Sequence, residues 1–242
     1  MKYFHLLSVL LIISCKPSKK DFTAQYIIDK SIINSGADKV SNAEITFKFR
    51  DKKYSAKRNN GRFTLTRNFD SITDVLSNNG FQRFVNETEI KVTDLMASRY
   101  TNSVNSVHYF SVLPYGLNDK AVREKRLPSS TIKGKDYYKI EVTFSENGGG
   151  EDFEDVFIYW IGKEDFLVDY LAYSYHTNGG GKRFRALKEQ STKNGIRFAN
   201  YDNYKPLDKS ISLIAVDKSF ETNQLQKISE IILEDIKVDI LD

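Results

Sequence analysis

The chain has 242 residues, with 36 lysines and arginines against 32 aspartates and glutamates and one cysteine. Balanced charge without a long basic block argues against a nucleic-acid partner, and a lone cysteine rules out an internal disulfide. The bias is aromatic, 14 tyrosines and 16 phenylalanines against 4 prolines, which suits strands more than helices in a length that fits one domain.

The chain opens MKYFHLLSVLLIISC. Lys2 precedes an apolar run from Phe4 to Ile13, and Ser14 is the small residue before Cys15, the pattern of a secretory signal over residues 1–14. The run falls short of the roughly 20 apolar residues that span a bilayer. Cys15 directly after Ile12, Ile13 and Ser14 resembles the lipobox of bacterial lipoproteins, in which the cysteine is acylated and becomes the new N-terminus. That resemblance implies a membrane anchor at Cys15, since acyl chains contribute about 0.8 kcal/mol per buried methylene. Residues 15–21 are then the lipidated cysteine and a solvated tether, and 22–242 a single domain. With Lys16 in place of a retention aspartate, the lipoprotein resemblance implies a cell-envelope location on the periplasmic face of the outer membrane.

Along the domain, residues 22–34 have helical spacing and end at Ser35-Gly36. The period then becomes two: strands are expected over 43–50, 52–58 and 61–69, with Asn59-Asn60-Gly61 as a hairpin turn. A further pair is read over 80–86 and 88–94, turning at Glu87-Thr88. Residues 94–113 return to helical spacing, stopped by Pro114, and a capped helical turn is expected from Asn118. From Tyr137 a strand meander follows: 137–145, 153–161, 166–176, 183–190, 196–204, 210–220 and 228–240, with tight turns at Gly162–Asp165 and around Asn194-Gly195.

Two connections repeat one phrase with opposite charge, FSENGGGEDFEDVF (144–157) and SYHTNGGGKRFRA (174–186). Alternate connections of a meander lie at one end of the sheet, so these loops share a rim. Each leads into a strand, whereas phosphate-cradling glycine loops lead into a helix N-terminus. The rim sets Glu151, Asp152, Glu154 and Asp155 against Lys182, Arg183 and Arg185, with His176 between. Three readings stay open: a solvated ion-pair network, a divalent-cation site through Glu151, Asp152 and Asp155, or a contact patch for a partner or ligand headgroup.

Both faces of the middle strands are apolar. Phe153, Phe157, Tyr159 and Ile161 oppose Val156, Ile158 and Trp160; Phe166, Val168, Tyr170 and Ala172 oppose Leu167, Leu171, Tyr173 and Tyr175. Such a sheet must be covered twice, by helices on one side and by further chain or a ligand on the other.

A secretory leader with a lipobox, an opening helix, a long meander, helices inserted midway and the hairpin YWIGKEDFLVDYL together resemble the LolA/LolB-like superfamily of periplasmic lipoprotein carriers. The phrases NSVHYFSVLPYGLNDKAV, GGGEDFEDVFIYWI and GGGKRFRA are similar to lipoproteins of unknown function from Bacteroidetes-type bacteria. Relatives of that kind are sometimes labelled deoxyribose-phosphate aldolase, but such an aldolase is a (β/α)8 barrel, which these long all-strand stretches exclude. The resemblance implies an α+β fold, a curved antiparallel half-barrel with an N-terminal helix and inserted helices packed on it. It also implies a lipid or acyl ligand in the concave face. The ligand-binding candidates are Phe157, Tyr159, Trp160, Tyr170, Tyr173, Tyr175, His176, Arg183 and Arg185. Two alternatives accompany this reading. One is an interaction subunit whose charged rim meets an envelope protein partner. The other is a periplasmic hydrolase-type enzyme built on Asn105, His108, Tyr109, Tyr115, Asn118 and Asp119, with Asn105 and His108 on one helix face and Asp119 orienting the imidazole. No nucleophile elbow, zinc motif or paired catalytic glutamates support the last, and no cofactor is expected.

Overall fold

The structure, a computed structural model, describes residues 21–146, 154–176 and 179–241. The leader, Cys15, the tether to Lys20, and Glu151 and Asp152 of the first glycine loop lie outside the described residues. Among the described residues no helix is long and apolar enough to cross a membrane.

Helix α1 (Ala24–Asn34) begins where the Thr23 side chain accepts the Tyr26 amide and buries Ile27, Ile28 and Ile32 along one face. Gly36 ends it at φ 68°, and a 3-10 helix follows over Ala37–Asn42. A side chain at Gly36 is doubly excluded, because a Cβ there would stand 1.8 Å from the Gly195 carbonyl oxygen.

Two seven-stranded antiparallel sheets follow. The first takes β1 (Ala43–Phe49), β2 (Lys52–Asn59), β3 (Arg62–Phe69), β4 (Ile72–Ser77), β5 (Gly80–Val85) and β6 (Thr88–Ile90) in chain order. The second takes β7 (Val122–Ile132), β8 (Lys135–Phe144), β9 (Val156–Gly162), β10 (Val168–Tyr175), β11 (Gly181–Lys193), β12 (Ile196–Pro206) and β13 (Leu225–Ile231). The last strand, β14 (Leu233–Ile240), pairs with β1, so one run of chain edges the second sheet and then the first. The result is an open, curved half-barrel.

Turn chemistry fixes the registers. Asn60-Gly61 (φ 49° and 80°) and Asn194-Gly195 (φ 45° and 78°) are two-residue loops with both residues left-handed, the geometry that matches strand twist. The turn between β5 and β6 is Asn86-Glu87 (φ 47° and 65°), one residue earlier than the sequence suggested.

Three expectations are corrected. Strand β4 was not foreseen, because its inward residue is Asp74, fully buried where an apolar residue is expected. The segment from Asn118 is a turn leading into β7 rather than a helix. As an edge strand β7 carries Glu124, Lys125 and Arg126, and Pro128 sits at a register shift where a missing amide is tolerated. Residues 210–220 are not a strand: a 3-10 turn (Leu213–Ala215) runs into α3 (Val216–Glu221).

That segment covers the outer face of the second sheet. Leu213, Val216 and Phe220 pack with Trp160, Tyr170 and Phe184. It is latched by Asp217, which accepts from Lys139 Nζ at 3.0 and 3.1 Å and from Trp160 Nε1 at 3.2 Å. The inner face carries the other core, with α1 packed on Ile140, Tyr159, Ile161 and Leu171. A register shift between Val168 and Tyr170 turns Val168 inward with Leu171, against simple alternation.

Helix α2 (Asp94–Ser111) packs on the concave side of the first sheet, with Val104 against Ala56 and Leu65 and with His108 edge-on to the stacked rings of Phe47 and Tyr54. Beneath its first half, Asp74 accepts from Arg67 Nε at 3.0 Å and from Arg83 Nε at 2.6 Å, while Arg67 also reaches Ser103 on the helix. The Arg83 guanidinium lies 3.4 Å from the Tyr100 ring centroid. We predict that Asp74→Ala, which strands two largely buried guanidiniums, lowers unfolding stability by about 3–5 kcal/mol, read as a shift of the urea midpoint. Loss below about 1 kcal/mol would show the network to be dispensable.

Candidate functional site

Between α2 and the inner face of the second sheet lies a cavity of about 750 Å³. Its apolar wall includes Phe49, Phe110, Phe144, Phe157, Tyr201, Ile231 and Leu233, drawn from α2, the second sheet and the strands where the sheets meet. The opposing face of α2 is polar: Ser98, Asn102 and Asn105 follow i, i+4, i+7 spacing and line the cavity, while Val104 and His108 face the first sheet. Three charged side chains join the lining, Asp155, Arg183 and Arg185.

Strand alternation places the aromatic rings. Phe157 stacks on Tyr173 with centroids 5.5 Å apart, and Phe110 of α2 meets Tyr173 at 5.4 Å. Below them the Tyr109 and Tyr159 hydroxyls share a hydrogen bond of 2.8 Å, and burial raises both phenols well above their ordinary range. Arg185 lies under this cluster, 8% exposed, its guanidinium 3.8 Å from the Phe110 ring centroid and its Nη2 donating to the Tyr173 hydroxyl at 3.2 Å.

Of the residues expected to bind ligand, Phe157, Tyr173, Tyr175, Arg183 and Arg185 line this cavity. Tyr159 is fully buried beneath it. Trp160 and Tyr170 do not belong to it, because the period of two sends them through the sheet to the outer core under α3. His176 stands exposed near the rim, its Nδ1 3.4 Å from Asp155 Oδ1. The expected bridges from Arg183 and Arg185 across the rim are absent among the described residues: Arg183 donates to the Lys182 carbonyl and lies 5.1 Å from the Tyr175 ring centroid. No three His, Cys, Asp or Glu side chains gather as a metal site among the described residues. The α2 residues Asn102, Asn105, Tyr109 and Phe110 were not expected in the ligand site, Asn105 and Tyr109 having been grouped with the acid–base candidates instead. The signal for them was a polar stripe on a helix otherwise read for its apolar face.

The acid–base candidates His108, Tyr115 and Asp119 do not converge. His108 is 1% exposed, and its Nε2 lies 3.0 Å from the Thr66 carbonyl oxygen, which can only accept, so Nε2 carries the proton. Its Nδ1 has no hydrogen-bond partner. Burial, helped by the charge of Arg58, lowers its pKa from 6.5 to about 4. Tyr115 packs against Arg58, whose guanidinium is 5.4 Å from the ring centroid, and Asp119 lies at the surface ahead of β7. The expected orientation of His108 by Asp119 is not formed.

The architecture, an open antiparallel half-barrel with helices on its concave side, is the LolA-like fold. It is similar to a LolA superfamily protein from Nitrosomonas europaea, with a TM-score of 0.51 at 12% identity, covering 92% of this chain and 96% of that one. A DUF1329 family protein from Desulfovibrio piger superposes with a TM-score of 0.52 at 11% identity, over 90% of this chain and 93% of its own. An outer-membrane lipoprotein-sorting protein domain from Vibrio parahaemolyticus gives 0.50 at 8% identity, over 89% and 93%. A search of curated proteins gives no match. The chain itself belongs to a family of unknown function, DUF6503, whose family model matches residues 1–234.

The buried histidine makes a pH prediction. Its folded pKa of about 4 lies below the unfolded value near 6.5, so between these the unfolded chain binds a proton that the folded chain does not. Stability is therefore full above about pH 6.5, falls as pH drops toward 4, and receives no further change from this group below that. The contribution is roughly 3 kcal/mol. Urea midpoints of the wild type minus those of His108→Gln, measured from pH 7.5 to 4, should trace this fall. A difference independent of pH would refute it.

Proposed function

We propose that this protein is a lipid-anchored binding protein of the cell envelope that holds an apolar chain, a lipid or an acyl group, in the cavity between α2 and the second sheet. The observation that carries the reading is the cavity itself. It measures about 750 Å³ and stays open beside packed apolar cores. Its size lies within the roughly 300–1,000 Å³ usual for ligand sites, and its make-up, an apolar wall with a few polar groups at one side, is that of a pocket rather than a packing defect. The fold shared with a LolA superfamily protein and a lipoprotein-sorting domain supports it. The leader ending at Ser14-Cys15 supports export and anchoring on the periplasmic face of the outer membrane.

Native mass spectrometry of the protein purified without harsh detergent should show an added lipid-sized mass that is lost on unfolding. A bare mass with no uptake of offered fatty acids or phospholipids would overturn the reading. Ala199 lines the cavity, so Ala199→Trp should fill it and weaken uptake by about tenfold or more while leaving the thermal midpoint within a few degrees. Unchanged uptake would place the ligand elsewhere.

A further inference from the structure

The cavity holds a buried cation that has no carboxylate partner among the described residues. The other deeply buried cations of the sheets are matched by carboxylates: Arg67 and Arg83 by Asp74, Lys139 by Asp217, and Arg197 by Asp169. Arg58 is an exception that stands off the cavity, against Tyr115. Arg185 is an exception that lines it. Its residue is more than nine-tenths buried, its Nε is sealed from solvent without a hydrogen-bond partner, and it forms no ion pair among the described residues. The Tyr173 hydroxyl and the Phe110 ring hold the guanidinium in place, but neither supplies an anion. Its charge acts on the buried hydroxyls of Tyr159 and Tyr201. A buried charge without a counter-ion costs several kcal/mol, and a planar fork with a free donor is the group best shaped to meet a carboxylate or phosphate.

We propose that Arg185 receives the anionic head of the ligand, so that the protein selects amphiphiles with one negative charge and an apolar chain over neutral lipids. The inference rests on the binding reading above and names the ligand class. The described charged residues of the lining are two guanidiniums, Arg183 and Arg185, and one carboxylate, Asp155. Asp155 itself lies 3.4 Å from the His176 imidazole. Arg183, two residues along β11 on the same face and half-buried, stands nearer the rim. The deep site therefore takes the head inward, beside Tyr173, with the chain along Phe157, Phe110 and Leu233. A fatty-acid carboxylate and the phosphodiester of an anionic lysophospholipid share this chemistry.

The test compares hexadecanoate, its neutral methyl ester and lysophosphatidylglycerol, binding to the full protein at pH 7.5 by displacement of a fluorescent probe. Hexadecanoate should bind about tenfold to a hundredfold more tightly than the ester, the range that a charge-assisted hydrogen bond supplies. Arg185→Met should erase that preference while retaining ester binding, and Arg185→Lys should keep part of it, which separates lost charge from a damaged fold. Tighter binding of hexadecanoate than of lysophosphatidylglycerol supports a free carboxylate as the natural head; the reverse order supports a phosphodiester lipid. Equal affinity for acid and ester in the wild type, or an intact preference in Arg185→Met, overturns the role of Arg185 while leaving the cavity as a binding site. Failure of all three probes to bind overturns both.

Discussion

One stretch of chain, Leu225 to Ile240, hydrogen-bonds first to β12 and then to β1, and so ties both sheets into a single wall. Backbone pairing allows no slack, because each strand spacing is fixed near 4.8 Å and a slip of one residue would reverse every side chain. The curvature of the wall thus turns both inner faces toward a common space. Helix α2 covers the concave side of the first sheet and α1 covers part of the second. The space left between α2 and the second sheet is the cavity.

The buried charges follow the same division of labour. Asp74 holds three neighbouring strands through Arg67 and Arg83, and Asp217 holds the α3 segment over Trp160 through Lys139. At the register shift in β10, Asp169 is met by Lys135 at 2.7 Å, by the Tyr137 hydroxyl at 3.1 Å and by Arg197 at 3.4 Å. Each of these pairs fixes one element against another where an apolar contact would fix it less directionally. Arg185 stands apart from them because it leans on rings and borders open space.

The meander, the two helices and the double coverage of the middle strands were legible in sequence, since period two over 137–175 and helical spacing over 22–34 and 94–113 report directly on buried faces. Strand β4 escaped because Asp74 occupies a core position, which makes sense only beside two arginines from neighbouring strands. The α3 segment was misread although Leu213, Val216 and Phe220 have helical spacing, because the apolar run Ile211 to Val216 also fits a strand. In the site, Phe157, Tyr173 and Tyr175 were named as aromatics of the middle strands and Arg183 and Arg185 as rim charges, while Trp160 and Tyr170, named in the same set, lie on the other face of the sheet.

By itself the sequence determined the local order: which stretches extend, which coil, where Asn-Gly pairs turn the chain, and which strands carry two apolar faces. These follow from side-chain stereochemistry and spacing within a few residues. Only the tertiary structure decided which of those two faces is filled and which is open, because that depends on where α2 and the α3 segment land, far away in the chain. It also decided that Lys139 meets a carboxylate 78 residues away and that Arg185 meets aromatic rings instead. A residue's charge is written in its own side chain; its counter-charge is set by the packing of distant elements.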